Sequence, residues 1–231
     1  MDAVRVSALR ERLTGTGWLE AVGGFAGALR RSVERRGASG LLLVGTEAYE
    51  PWHLAAHLDD EAVWSDVPRL APTLLRHSPP AGAPAHLTHD LRRLAEVGRG
   101  DTVLVVVPEA AGAPLLERVQ DARRRGATVL ALDGGAPGGP AGAGGADGLG
   151  GPAGRGGPDE LGRPAGSGGL GELRGLAHER LTVGTAAEGP FDLAQHLVSV
   201  AAGQRAGRRS VRERLVRLAG RLTSTPAISR W

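Results

Sequence analysis

The chain has 231 residues, of which 41% are hydrophobic and only 3% aromatic, and its 28 basic residues against 25 acidic ones leave a net charge of +3. So few aromatics exclude a base-stacking surface for single-stranded nucleic acid, and so small a charge leaves no footprint for a nucleic-acid partner. The lack of cysteine excludes disulfides, thiolate catalysis and Cys-based metal centres. Residues 1–13 carry charges where a signal peptide needs an apolar core, and no apolar run reaches the length of a membrane span, so the cytoplasm is the expected location.

Trp18, Leu19, Val22, Phe25, Leu29 and Val33 recur at spacings of three and four, which predicts a helix ending near Gly37. The run 40–45, Gly-Leu-Leu-Leu-Val-Gly, reads as a parallel strand buried on both faces. Pro51 then opens a second helix carrying Leu54, Ala55 and Leu58. Residues 62–64 read as a brief strand, followed by a Pro-punctuated connection through Pro80 and a helix over 86–97. The run Asp-Thr-Val-Leu-Val-Val-Val at 101–107 is the clearest strand. A helix through Leu115, Leu116 and Val119 follows it, ending in Arg123, Arg124, Arg125 and Gly126. Residues 128–132 add another strand and 179–183 a last short one, and Phe191, Leu193, Leu197 and Val200 belong to a helix. A final basic helix over 210–222 sets Val211, Leu215, Leu218 and Leu222 on one stripe.

Alternating strands and helices predict an α/β fold, a doubly wound parallel five-stranded sheet inside a three-layer αβα sandwich of the flavodoxin-like type. The tract 134–171 holds 18 glycines and five prolines among few apolar side chains, too little to offset the entropy of ordering, so a disordered insertion is expected there. Residues 1–133 and 172–231 would then form one domain. In such a sheet, with strand order 2-1-3-4-5, a ligand lies at the carboxyl ends of the strands where the order reverses. That places a crevice between the loops 45–51 and 108–114.

The unit Gly-Asp-strand at 100–107, a small-residue loop, a helix, and Arg-Gly-Ala-strand at 125–132 resembles the core of sugar isomerase (SIS) domains. The resemblance spans most of residues 18–132, with the Phe191 helix in the place of the family's last helix. It implies a small-molecule ligand of the sugar-phosphate or polyol class, a homodimer, and an aldose–ketose isomerisation in which Glu47 or Glu50 moves a proton between adjacent carbons. The ligand-binding candidates are Thr46, Tyr49, Glu109 and Gly112. The family grips phosphate with Ser and Thr hydroxyls and helix N-terminal amides. This chain departs from that pattern: loop 108–112 offers Glu109, Ala110, Ala111 and Gly112 in place of hydroxyls, and Glu47, Glu50 and Glu109 would repel a phosphate. The alternative is therefore a non-catalytic regulatory or structural homodimeric module that has lost its phosphate site.

The segment Trp-His-Leu-Ala-Ala-His-Leu at 52–58 resembles the metal-carrying helix of the phosphoheptose isomerases, whose last helix also supplies Gln and His, here Gln195 and His196. By spacing alone, His53 and His57 share a helix face and would grip a zinc ion, with Glu61 one turn on; both also fit as ordinary positions of an amphipathic helix. For Thr46 a capping role competes evenly with ligand contact, and Glu109 reads first as a carboxylate stabilised by a helix start.

Overall fold

The computed structural model describes residues 17–82, 84, 88–135, 142–145, 167–183 and 191–204. Six strands, β1 (Gly40–Val44), β2 (Pro72–Leu75), β3 (Asp101–Val107), β4 (Thr128–Asp133), β5 (Gly142–Gly145) and β6 (Glu179–Thr182), form one sheet. Five of them run parallel in the order β2-β1-β3-β4-β6, and β5 adds an antiparallel edge along β6. β1 and β3 are adjacent, in register from Gly40 opposite Asp101 to Val44 opposite Val105. The strand order therefore reverses between them, as the sequence implies.

The helices are α1 (Trp18–Glu34), α2 (Trp52–Ser65), α3 (Ala113–Arg124), α4 (Ser167–Leu176) and α5 (Phe191–Ala202), with single 3₁₀ turns at Pro68–Leu70 and Leu91–Ala95. They divide by strand parity. Leu41, Leu43, Leu104, Val106, Leu130 and Leu132 pack under α1, α2 and α5. Leu42, Val44, Val103, Val105, Val129 and Ala131 pack under α3 and α4. Both faces are covered, and this explains why the central strands read as continuous apolar runs instead of alternating ones. The crossovers from β1 through α2 and from β3 through α3 lie on opposite faces, which opens the switch-point crevice between the carboxyl ends of the two strands.

Four expectations are corrected. Residues 62–64 continue α2 to Ser65 instead of forming a strand, and Asp66 ends that helix in the left-handed region at φ 57°. The β-propensity of Val63 and Trp64 is overridden because both side chains point into solvent, where no sheet neighbour rewards it. The helix expected over 86–97 is a 3₁₀ turn at Leu91–Ala95, capped by Asp90, whose Oδ1 accepts from the Arg92 amide at 2.8 Å; residues 85–87 lie outside the described residues. The connection before Pro80 contains β2. Within the tract expected to lack structure, β5 pairs antiparallel with β6, and α4 begins at Ser167, seating Leu170, Leu173 and Leu176 against the α3 side of the sheet. Residues 136–141, 146–166 and the basic stretch 210–222 lie outside the described residues.

Candidate functional site

The turn leaving β1 closes on itself: the Thr46 amide donates to the Tyr49 carbonyl at 2.9 Å and the Tyr49 amide returns to the Thr46 carbonyl at 3.2 Å. Gly45 is required there, because a Cβ would collide with the Tyr49 carbonyl and the Pro51 ring. Glu47 is exposed at the tip. Tyr49 folds back onto α5, its ring edge-on to Phe191 at 5.9 Å. Its hydroxyl accepts from Gln195 Nε2 at 2.6 Å and donates to Asp192 Oδ1 at 3.3 Å, and Gln195 Nε2 also reaches Asp192 Oδ1 at 3.1 Å. Burial, with Asp192 adding to it, pushes the phenol pKa up, so Tyr49 serves this site as a neutral donor and acceptor.

Glu50 is committed. Its carboxylate receives Arg76 Nε at 3.0 and 3.1 Å, Arg76 Nη2 at 2.9 Å and Trp52 Nε1 at 2.8 Å, while the guanidinium lies 4.9 Å from the Trp52 ring centroid. Arg76 directly follows β2, so this cluster straps the exit of β1 to the exit of β2. Sequence reading did not single out Arg76. It neutralises one of the three carboxylates that stood against an anionic ligand, and its charge-assisted bonds tie Glu50 to the exit of β2.

On the β3 side Glu109 is exposed, Ala111 is buried, and Gly112 occupies the N-cap of α3 without any side-chain cap. Pro51, at the N-cap of α2, likewise leaves that helix start without a side-chain cap. Two helix N-termini thus flank the carboxyl ends of β1 and β3. Behind them, the Gly134 amide donates to the Val107 carbonyl at 2.9 Å, and a Cβ on Gly134 would strike the Pro108 carbonyl, so the ends of β3 and β4 are tightly joined.

The histidines separate. His53 is exposed, whereas His57 turns to α5, with its Nε2 3.2 Å from His196 Nδ1 and the two rings 4.4 Å apart. Gln195 and His196, adjacent in sequence, project about 100° apart on their helix and serve different neighbours, Tyr49 and His57. Burial, and secondarily His57, lowers the His196 pKa. Two imidazoles fall short of the four ligands of a structural zinc site, and among the described residues no three His, Asp or Glu side chains gather around a point where an ion would fit. The described residues alone do not assemble a zinc site.

A further charged group, Asp133 at the carboxyl end of β4, escaped sequence reading. It is fully buried, and it accepts from Arg174 Nη2 at 2.6 Å, Thr182 Oγ1 at 3.1 Å and the Gly135 amide at 3.0 Å. It joins β4, β6 and α4 and has no lone pair left over for a ligand. No described helix is long and apolar enough to cross a membrane.

The sequence matches no family model and no curated protein. The structure, however, is similar to solved ones, two of them from Salmonella typhimurium and Silicibacter pomeroyi. A putative sugar binding protein from Salmonella typhimurium superposes with a TM-score of 0.51 at 17% identity over 94% of this chain. A putative phosphosugar isomerase from Silicibacter pomeroyi does so with a TM-score of 0.51 at 13% identity over 93% of this chain. The chain spans about half of each, 52% of their length. With its five parallel strands in the order expected of a SIS-like sheet, the chain has the fold of these two proteins.

Proposed function

We propose that the chain binds a hydroxyl-rich anionic ligand of the sugar-phosphate class between the loops 45–51 and 108–112, and that it does not isomerise that ligand. The observation that carries the reading is the pair of helix starts without side-chain caps beside the carboxyl ends of adjacent central strands. Amides at helix starts and the positive ends of the helix dipoles favour an anion. Thr46 and Tyr49 supply hydroxyls, and Glu47 and Glu109 are acceptors for sugar hydroxyl groups. The putative sugar binding by the Salmonella protein and the putative phosphosugar isomerase from Silicibacter support the same assignment.

Loss of catalysis follows from Glu50. A general base must be free to reach the proton it removes, and the Glu50 carboxylate is held in place by Arg76 and Trp52. Glu47 remains as an exposed carboxylate at the tip of the turn. Because the solved relatives are about twice as long, a homodimer of this chain would supply the second half of their architecture; light scattering on the purified protein reads this directly.

Thermal shift with a panel of hexose and heptose phosphates, against inorganic phosphate and the free sugars, tests the binding. A ligand at one hundred times its Kd stabilises by about 2.7 kcal/mol, a rise of roughly 5–10 °C for a domain of this size. Replacing Thr46→Val and Glu109→Gln together should abolish the rise while leaving the unliganded melting temperature unchanged. A shift that survives the double substitution places the ligand elsewhere. Interconversion of an aldose phosphate with its ketose by the wild-type chain refutes the non-catalytic reading.

A further inference from the structure

We propose that the Arg-rich segment 210–222 docks, within the same chain, as an amphipathic helix along the exposed face of α2 that carries Asp59, Asp60, Val63 and Trp64. The face is anomalous. Val63 and Trp64 are 80% and 74% exposed, while among the described residues the other large exposed apolar side chain, Trp52 at 39%, lies beneath Arg76. A tryptophan and a valine side by side in water on an ordered helix mark a surface that awaits a cover.

The charge on this face is one-sided. From residue 52 to residue 66 the sequence has Asp59, Asp60, Glu61 and Asp66 and no Lys or Arg; the nearest basic residue beyond the helix is Arg69. Among the described residues no cation forms an ion pair with Asp59 or Asp60. Burial, and secondarily the neighbouring Asp60, pushes the Asp59 pKa up. No basic residue stands in the last turn of α2, so the negative end of its dipole is also unanswered.

The occupant is indicated by where the chain goes. Tyr49 meets Asp192 just before α2, His57 meets His196 within it, and Gly203 lies against the Glu61 carboxylate, so α5 runs alongside α2 in the same direction and delivers the chain to the carboxyl end of that helix. Residues 205–231 follow, with eight arginines and a single acidic residue, Glu213. Val211, Leu215, Leu218 and Leu222 fall on one helical stripe with arginines at 212, 214, 217 and 221 around it. Thirteen helical residues extend about 20 Å, close to the length of α2. Residues 205–209, which include Gly207, allow the reversal that lays this stripe antiparallel on Val63 and Trp64 with arginines against the acidic groups.

The lack of cysteine makes the 231-residue chain its own background for disulfide trapping. Val63→Cys is combined in turn with Leu215→Cys, Leu218→Cys and Glu213→Cys, the last lying on the opposite side of the predicted helix. Under mild oxidation of the dilute protein the first two pairs should close an intramolecular disulfide at least about tenfold faster than the third, because docking raises the effective concentration of the facing thiols. Asp59→Asn with Asp60→Asn should slow this closure. Equal rates for all three pairs, or disulfides that join two chains only, would overturn the proposal, the latter by making the α2 face an interface between copies. A second readout leaves the segment free of engineered thiols. The Trp64 contribution to fluorescence, taken as the difference from Trp64→Phe, should be blue-shifted and shielded from acrylamide, and should become solvent-like in Leu215→Ser with Leu218→Ser. A solvent-exposed Trp64 signal in the otherwise unsubstituted chain contradicts the docking.

Discussion

Asp133→Asn offers a quantitative test of how the far half of the sheet is held. The carboxylate is fully buried and receives Arg174 Nη2 at 2.6 Å, Arg174 Nε at 3.3 Å, Thr182 Oγ1 at 3.1 Å and the Gly135 amide at 3.0 Å. Asn keeps the shape but presents an N–H₂ group to donors and removes the charge that holds the guanidinium. Breaking a fully buried pair from one side costs about 3–5 kcal/mol. Because the Arg174 side chain is 28% exposed, it recovers some hydration, which puts the expectation near the lower end, about 3 kcal/mol. For a domain of this size that is a fall of roughly 6–12 °C in melting temperature. Arg174→Met should cost at least as much, since it leaves a buried carboxylate without its cation. The double variant should be scarcely worse than either single one, a coupling of about 3 kcal/mol in chemical denaturation. Single effects below about 1 kcal/mol, or effects that add within about 0.5 kcal/mol, would refute the view that this pair clamps α4 to β4.

Thr102 is fully buried on β3 with no partner for its hydroxyl, so Thr102→Val should stabilise the fold by about 1 kcal/mol, measured by urea unfolding. Gly45→Ala should destabilise by at least about 2 kcal/mol, because its Cβ meets backbone and a proline ring that have little room to move. Burial lowers the pKa of both His178 and His196 below the ordinary histidine value, so the unfolded chain binds these protons first. Stability should accordingly be full above about pH 6.5 and decline as pH falls toward the folded-state values, and His196→Gln should flatten that decline in melting temperature between pH 7 and pH 5. Halving the stretch 146–166 should change stability by only about 0.6 kcal/mol while unfolding stays cooperative in calorimetry.

The elements legible in the sequence were those whose environment is uniform. Leu41–Val44, Val103–Val107 and Val129–Leu132 are buried on both faces, and α1 repeats its buried Trp18, Val22, Phe25, Leu29 and Val33 at helical spacing. Elements at boundaries were not legible. β2 is four residues opening with a proline and only half buried at Pro72 and Thr73. β5 is built from glycine and alanine, whose pairing leaves no side-chain pattern to read. The candidate site divides the same way. Its location followed from topology, and Thr46, Tyr49, Glu109 and Gly112 do border the carboxyl ends of β1 and β3. What Glu50 does depends on Arg76, 26 positions away, and what Tyr49 does depends on Gln195, 146 positions away. Partners chosen by tertiary packing leave no mark in local spacing.

The most direct test of the central claim is a backbone-amide NMR titration of the labelled chain with a sugar phosphate that raises its melting temperature. The account predicts saturable shifts at Thr46, Glu47, Glu109, Gly112 and Ala113, at the starts of α2 and α3, with the amides around Asp133 and Arg174 unmoved. Shifts centred on β4 and α4 instead, or none at the β1 and β3 loops at saturation, would contradict it.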